Sequence, residues 1–172
     1  MLNLNSAMST SPTGGVTIIA GVQVYELPER PKPGEIIELP TGVKVRVRHV
    51  GIPWLLPPKR VCTDKLCPWH GHLKVRGTIL EVKVVKVHPK FVVCLHEWLH
   101  YDHKYKRYEW RRKKIHARLP PCIDVKPGDI VYIGETRPLA KTIAFVVLGT
   151  KNDVTPVKPI VKRLGETPDP RI

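Results

Sequence analysis

The sequence predicts an all-β protein centred on a small five-stranded barrel. Three observations carry that expectation. Short apolar runs with two-residue alternation recur between residues 16 and 148, Pro and Gly clusters separate them, and no stretch sustains a helical period. Positive charge is also concentrated: residues 59–118 carry sixteen basic against five acidic groups, or +11 of the chain's +14. The chain divides into a polar N-terminus (1–15) read as disordered, a β-rich extension (16–58), a barrel (59–149) and an extended, proline-bearing tail (150–172).

In chain order, Val16–Tyr25 reads as one strand. Glu35–Leu39 and Val43–Val50 flank Pro40-Thr41-Gly42 and read as a hairpin. In its second arm Val43, Val45 and Val47 alternate with Lys44, Arg46 and Arg48, giving one apolar and one cationic face. Pro53, Pro57 and Pro58 then mark a linker. The first barrel strand, Leu73–Val87, changes apolar phase along its length, which calls for a bulge or bend that lets one strand serve both halves of a barrel. Phe91–Leu99 follows, with Phe91, Val93 and Leu95 as the expected inward set and His96, Trp98 and His100 outward. A long basic loop leads into a third strand ending at Arg118. After the turn Lys126-Pro127-Gly128-Asp129, Ile130–Gly134 and Thr142–Leu148 supply the last two strands, with a loop between them. The expected architecture is a Greek-key barrel of the oligonucleotide-binding type with a long basic loop.

Function is most legible between residues 104 and 118, where eight Lys or Arg residues meet a single acid, Glu109. Tyr101, Tyr105, Tyr108 and Trp110 run through and beside them. Cations suit phosphates and flat rings suit bases, so the pattern fits a nucleic acid. The plain alternative is a solvated basic face, which gains nothing from three tyrosines and a tryptophan. A membrane surface is a poor fit, because no long apolar span or basic amphipathic helix is present. No export signal is read at the N-terminus, so the four cysteines belong to a cytosolic setting. One Gln and three Asn fit a thermophilic source.

A second cluster is Cys62-x4-Cys67-x2-His70-Gly71-His72, whose spacing admits one structural zinc held by Cys62, Cys67, His70 and His72, with Cys122 as a distant substitute. Two alternatives stay open: a Cys62–Cys67 disulfide, and histidines that contact phosphate. Cys94 reads as a packed small side chain. No acid/base glutamate accompanies the cluster, so a catalytic metal is disfavoured.

Several ordered motifs resemble the archaeal and eukaryotic branch of the small-subunit ribosomal protein seventeen family. They are Cys67-Pro68-Trp69-His70-Gly71, Val75-Arg76-Gly77, Glu97-Trp98-Leu99-His100-Tyr101, Lys104-Tyr105-Lys106-Arg107-Tyr108-Glu109, Pro121-Cys122, Gly128-Asp129-Ile130-Val131 and the run Gly134–Thr142. The tryptophan-rich wording is most similar to hyperthermophilic archaeal members. The resemblance spans about Val61 to Leu148 and leaves the extension and the tail uncovered. Thr136 and Ala140 stand where many relatives have Cys and Ser.

The resemblance implies an oligonucleotide-binding barrel without enzymatic activity that binds small-subunit ribosomal RNA directly and early in assembly. It further implies a cytoplasmic place in the small subunit beside neighbouring ribosomal proteins, with no membrane and no homo-oligomer. The expected RNA contacts are Lys74 and Arg76; Lys104, Tyr105, Lys106, Arg107, Tyr108, Trp110, Arg111, Arg112, Lys113, Lys114 and Arg118; and Arg137, Lys141 and Thr142. Two other classes compete. A free single-strand-binding module would carry its aromatics on barrel strands, and a zinc-dependent nucleic-acid enzyme would need an open metal position and a placed base.

Overall fold

The computed structural model describes residues 16–154; the expected disordered N-terminus and nearly all of the expected tail lie outside the described residues. Ten strands and one 3-10 turn make up the described residues, and no helix there is long and apolar enough to cross a membrane. The barrel strands are β6 (Ile79–Val87), β7 (Phe91–Asp102), β8 (Arg107–Arg118), β9 (Ile130–Ala140) and β10 (Ile143–Thr150). They close in the order β10-β8-β7-β6-β9, antiparallel throughout except for the β8–β10 pair. This is the expected five-stranded barrel.

The anticipated irregularity of the first strand lies at Val85, where the β6–β7 register shifts between Val84 and Lys86. Ile79–Lys83 pair with β9, and Lys83 and Val84 below the bulge with Lys86 and Val87 above it pair with β7, so one strand serves both sides. The strand is shorter than Leu73–Val87 because residues 73–78 run as a loop, turning at Gly77 with φ +91°.

The inward face of β7 is the reverse of the expected one. Val92 and Cys94 are fully buried with Val82, Val84, Ala117, Val131 and Ile133, while Phe91, Val93 and Leu95 are half-buried on the outside. A narrow barrel has room inside for Val, Cys and Ala, and the bulkier Phe and Leu are left to cover its exterior. Burial holds the Cys94 thiol up at about 11, which makes it an inert packing group.

The segment before the barrel contains β1 (Val16–Ile19), β2 (Val22–Glu26), β3 (Ile36–Glu38), β4 (Lys44–Arg46) and β5 (Arg60–Cys62). The expected single strand Val16–Tyr25 is a hairpin, because Ala20 and Gly21 both adopt left-handed φ (52° and 83°) and reverse the chain. β3 and β4 form the expected second hairpin, with Val45 and Val47 buried and Val43 exposed. Tyr25, Ile37, Leu39, Val45, Val47 and Val61 make a small core of their own.

The proline-rich stretch is packed rather than free. Leu55, Pro57 and Pro58 are buried, Leu55 bridges to Val154, and the Trp54 ring meets Tyr132 edge-on at 4.8 Å. Trp69 completes the attachment: its side chain is buried and Nε1 donates to the Leu148 carbonyl of β10 at 2.8 Å.

The inverted β7 face gives a direct test. Val92→Ala should cost about 2–3 kcal/mol in chemical denaturation and Val93→Ala less than about 1 kcal/mol. The opposite ranking would restore Phe91, Val93 and Leu95 as the inward set.

Candidate nucleic-acid interface and sulfur cluster

The basic segment is not a loop. β7 and β8 pair without interruption over twelve residues, from Phe91 opposite Arg118 to Asp102 opposite Arg107. Only the four residues 103–106 turn, where the Asp102 carboxylate accepts the Lys104 N–H at 2.9 Å and Lys106 takes a left-handed φ of 49°. β6 accompanies β7 only as far as Leu95, and β10 accompanies β8 only over His116–Arg118. From His96 opposite Lys113 outward, seven residue pairs form a two-stranded ribbon with no further neighbour. At roughly 3.3 Å per residue it extends about 23 Å beyond the barrel.

Directly opposed residues point to the same side of an antiparallel pair, so the register assigns each ribbon residue to one of two faces. One face carries Leu99 opposite Trp110, Tyr101 opposite Tyr108, and Glu97 opposite Arg112. Trp110 and Tyr108 are 75% and 70% exposed, and the Tyr101 and Tyr108 rings lie 5.1 Å apart. The other face carries Trp98 opposite Arg111, His96 opposite Lys113, and Arg107 beside Asp102, with the His96 and Trp98 rings stacked at 5.2 Å. Glu109, its one glutamate, is bound by Arg111 Nε, which leaves the neighbouring cations uncompensated. At the tip Tyr105 is exposed, with Lys104 Nζ 5.1 Å from its ring centre. A ribbon that sets rings beside cations on both faces, Trp110 and Tyr108 with Arg112 on one and Trp98 with Arg111 on the other, can take bases and phosphates together.

The remaining expected contacts fall in two places. Arg118 lies at the barrel end of β8, where its Nη2 binds the Asp64 carboxylate at 2.8 Å. Arg137, Lys141 and Thr142 are exposed on the β9–β10 hairpin, which is strand to Ala140 with only Lys141 and Thr142 turning, not the expected loop. Lys74 and Arg76 are exposed on the loop before β6, and the Arg76 N–H donates to the Glu135 carbonyl at 2.9 Å, two residues from Arg137. Thr136 is buried, and its hydroxyl faces the carbonyls of Arg137 and Ala144.

The cysteine cluster is assembled from three parts of the fold. Cys62 ends β5, Cys67 and His70 sit on the following turn, and Cys122 arrives 55 residues beyond Cys67, after Pro120-Pro121. All four donor atoms lie within 4.8 Å of one another. The Cys67–Cys122 sulfurs are 3.6 Å apart, and His70 Nδ1 is 3.6 Å from the sulfurs of both Cys62 and Cys67. All of these cysteines are free thiols, so no disulfide is formed. His72 lies outside the cluster and is exposed, because residues 68–72 turn instead of running extended, and the two histidines do not share a side. Gly71 permits that turn: a Cβ there would meet the Lys65 carbonyl at 2.4 Å. Cys62 is the thiol that ionises first, since Cys122 and then Cys67 hydrogen-bond to its sulfur and hold its pKa well below the ordinary thiol value. Burial pushes Cys67 and Cys122 up.

The sequence pointed to the ribbon's residues and to the four clustered donors, with Cys122 named only as a substitute behind His72. It gave no sign that Trp69 would pin the cysteine turn to β10, and the only available signal was a tryptophan between two candidate ligands.

A closed five-stranded barrel bearing a cationic and aromatic ribbon is the architecture of an oligonucleotide-binding protein. A family model described as ribosomal protein S17 matches residues 82–149. The chain is 62% identical over 111 residues to small ribosomal subunit protein uS17 of Pyrobaculum aerophilum, covering 64% of this chain and 90% of that protein. Against the uS17 protein of Aeropyrum pernix it is 55% identical over 107 residues, covering 62% and 94%. The Saccharolobus solfataricus protein is 55% identical over 104 residues, covering 60% and 91%. The chain belongs to the ribosomal protein S17 family, in its archaeal form.

Proposed function

We propose that the protein is a structural component of the small ribosomal subunit that binds small-subunit ribosomal RNA directly and has no catalytic role. The two-faced ribbon carries this reading. It holds Trp110, Tyr108 and Tyr105 out to water at high exposure, which a soluble surface gains nothing from unless a partner covers them. Stacking on a base is worth about 1–3 kcal/mol per ring, and the cations beside each ring supply the phosphate contacts. The chain then resides in the cytoplasm within the subunit, beside other ribosomal proteins. Base stacking belongs to the ribbon and phosphate contact to both the ribbon and the Arg137–Thr142 hairpin. Lys74 and Arg76 extend the hairpin's contact along the barrel.

Binding of small-subunit ribosomal RNA should weaken steeply with salt, with a log–log slope of roughly −4 or steeper. Replacing Arg111, Arg112, Lys113 and Lys114 by Ala should lower affinity and flatten that slope while leaving the melting temperature nearly unchanged, because these side chains are exposed and contribute little to folding. A flat salt dependence for the unaltered chain would remove phosphate contact as the main source of affinity.

We also infer that Cys62, Cys67, His70 and Cys122 would hold one structural zinc ion. A tetrahedral ion with bonds of about 2.3 Å to sulfur and about 2.0 Å to nitrogen sets its ligand atoms roughly 3.5–3.8 Å apart. The three separations of 3.6 Å match that edge length. Buried thiols are weak hydrogen-bonding partners for one another, whereas the same atoms are strong ligands to a soft cation. With four protein ligands no position is left for a reacting water, so the role is structural. Elemental analysis of the purified chain should find one zinc per molecule. Cys122→Ser should release it and His72→Gln should not. Zinc retained in the first variant or lost in the second would refute this ligand set.

A further inference from the structure

The cationic face of β4 looks into a groove that the ribbon does not reach. Lys44, Arg46 and Arg48 lie on alternate residues of one extended segment and line one wall, with His49 beyond them. The turn that carries the sulfur cluster forms the other wall, through Lys65 and His72. The groove has a volume of about 760 Å³ and is partly open to solvent.

Its charge is almost unopposed. Asp64 is the one acid in its walls, and Arg118 already binds that carboxylate from the barrel side at 2.8 Å. Arg46 and Lys65 are exposed and have no ion pair among the described residues. Lys44 is paired with Glu38, but at an exposed position where such a pair contributes little. Arg48 spends one N–H on the Gly71 carbonyl at 2.8 Å, which fixes the side chain without neutralising it.

The walls are tied to each other as well. The Arg48 N–H donates to the Trp69 carbonyl at 2.7 Å, and Trp69 is in turn bonded to β10, so the groove is held open in the absence of any occupant. Cations on alternate residues of a strand stand about 7 Å apart, and such a row suits a chain of negative charges better than one small anion. No Phe, Tyr or Trp lines the groove and its exposed rings are the imidazoles of His49 and His72, so it offers chiefly seats for phosphates. In this the groove differs from the ribbon.

We propose that this groove is a second RNA seat, in which residues 44–49 and 65–72 grip the sugar–phosphate backbone of the same RNA molecule that the ribbon engages. The family model begins at residue 82, beyond both walls, while the longer match to the Pyrobaculum aerophilum protein takes in the 65–72 wall. This seat rests on the RNA-binding function proposed above and adds a contact to it.

The test compares two variants of the full chain on small-subunit ribosomal RNA, by binding titration and hydroxyl-radical footprinting. Arg46→Glu with Lys65→Glu reverses the two unpaired groove cations, and Arg46→Gln with Lys65→Gln is the milder form should reversal impair folding. Either groove variant should flatten the log–log salt slope by about 2 and erase one patch of protected nucleotides. The ribbon variant should erase a different patch. Wild-type affinity and a complete footprint in a folded groove variant, with the ribbon's patch still lost in the ribbon variant, would overturn the second seat and leave RNA binding standing. A groove variant that keeps its RNA footprint but no longer enters assembled subunits would show an acidic protein neighbour there instead, and would overturn it too. Absence of any footprint with the unaltered chain would overturn both readings together.

Discussion

The β7–β8 ladder is the constraint on which the rest of the molecule depends. Its inner end is two staves of a closed barrel, and its outer end is the ribbon that carries the exposed rings. An isolated two-stranded ribbon is marginal in water, because it has no buried face and loses chain entropy for little return. Here the register is already set where Val92, Cys94 and Ala117 are packed in the barrel core, and it propagates outward pair by pair. A slip of one residue would drive Val92 and Cys94 out of the core and would exchange the two faces of the ribbon. Barrel packing therefore decides which side of the ribbon bears Trp110 and Tyr108 and which bears Arg111 and Lys113.

Trp69 plays the corresponding part for the segment before the barrel. Its indole N–H holds β10, its carbonyl receives the Arg48 N–H, and its neighbours Cys67 and His70 face Cys62 and Cys122. One residue thus joins the barrel, the β3–β4 hairpin and the sulfur cluster. Removing the indole donor would leave the Leu148 carbonyl buried without its partner, a loss of about 1–3 kcal/mol at the point where all three meet. The proline-rich stretch adds to this junction through Leu55, whose side chain lies against Gly149, where a Cβ would approach it to 3.1 Å. Val24, Ile52, Leu55, Cys62, Cys67 and Trp69 join the barrel core for this reason, while the β3–β4 hairpin keeps the small core of its own.

Much of this was legible in the sequence, and the misreadings have physical causes. The barrel strands announced themselves through alternation and turn residues, and the bulge in β6 through its change of phase. The ribbon's composition was legible but its conformation was not, since a ribbon exposed on both faces has no buried side to impose a two-residue pattern. The β7 face is the reverse of the expected Phe91, Val93 and Leu95 set because the barrel interior is too narrow for Phe91 and Leu95. Cys122 was named only as a substitute ligand, and that it stands in the cluster where His72 was expected is decided by tertiary structure, which brings it across 55 residues to Cys67. The cationic face of β4 was visible as a pattern, but the wall opposite it was not.

The central claim is that the overhanging part of β7 and β8 is the element on which RNA is held. Amide hydrogen exchange, measured on the full chain free and bound to small-subunit ribosomal RNA, tests it most directly. In the free chain the ribbon amides of residues 96–113 should exchange faster than those of the barrel strands, because they have one neighbouring strand instead of two and no apolar cover. Binding should slow exchange in the ribbon, at its four-residue turn above all, while the interior of the barrel changes little. Protection confined to the barrel faces, with the ribbon exchanging as fast as in the free chain, would contradict the account.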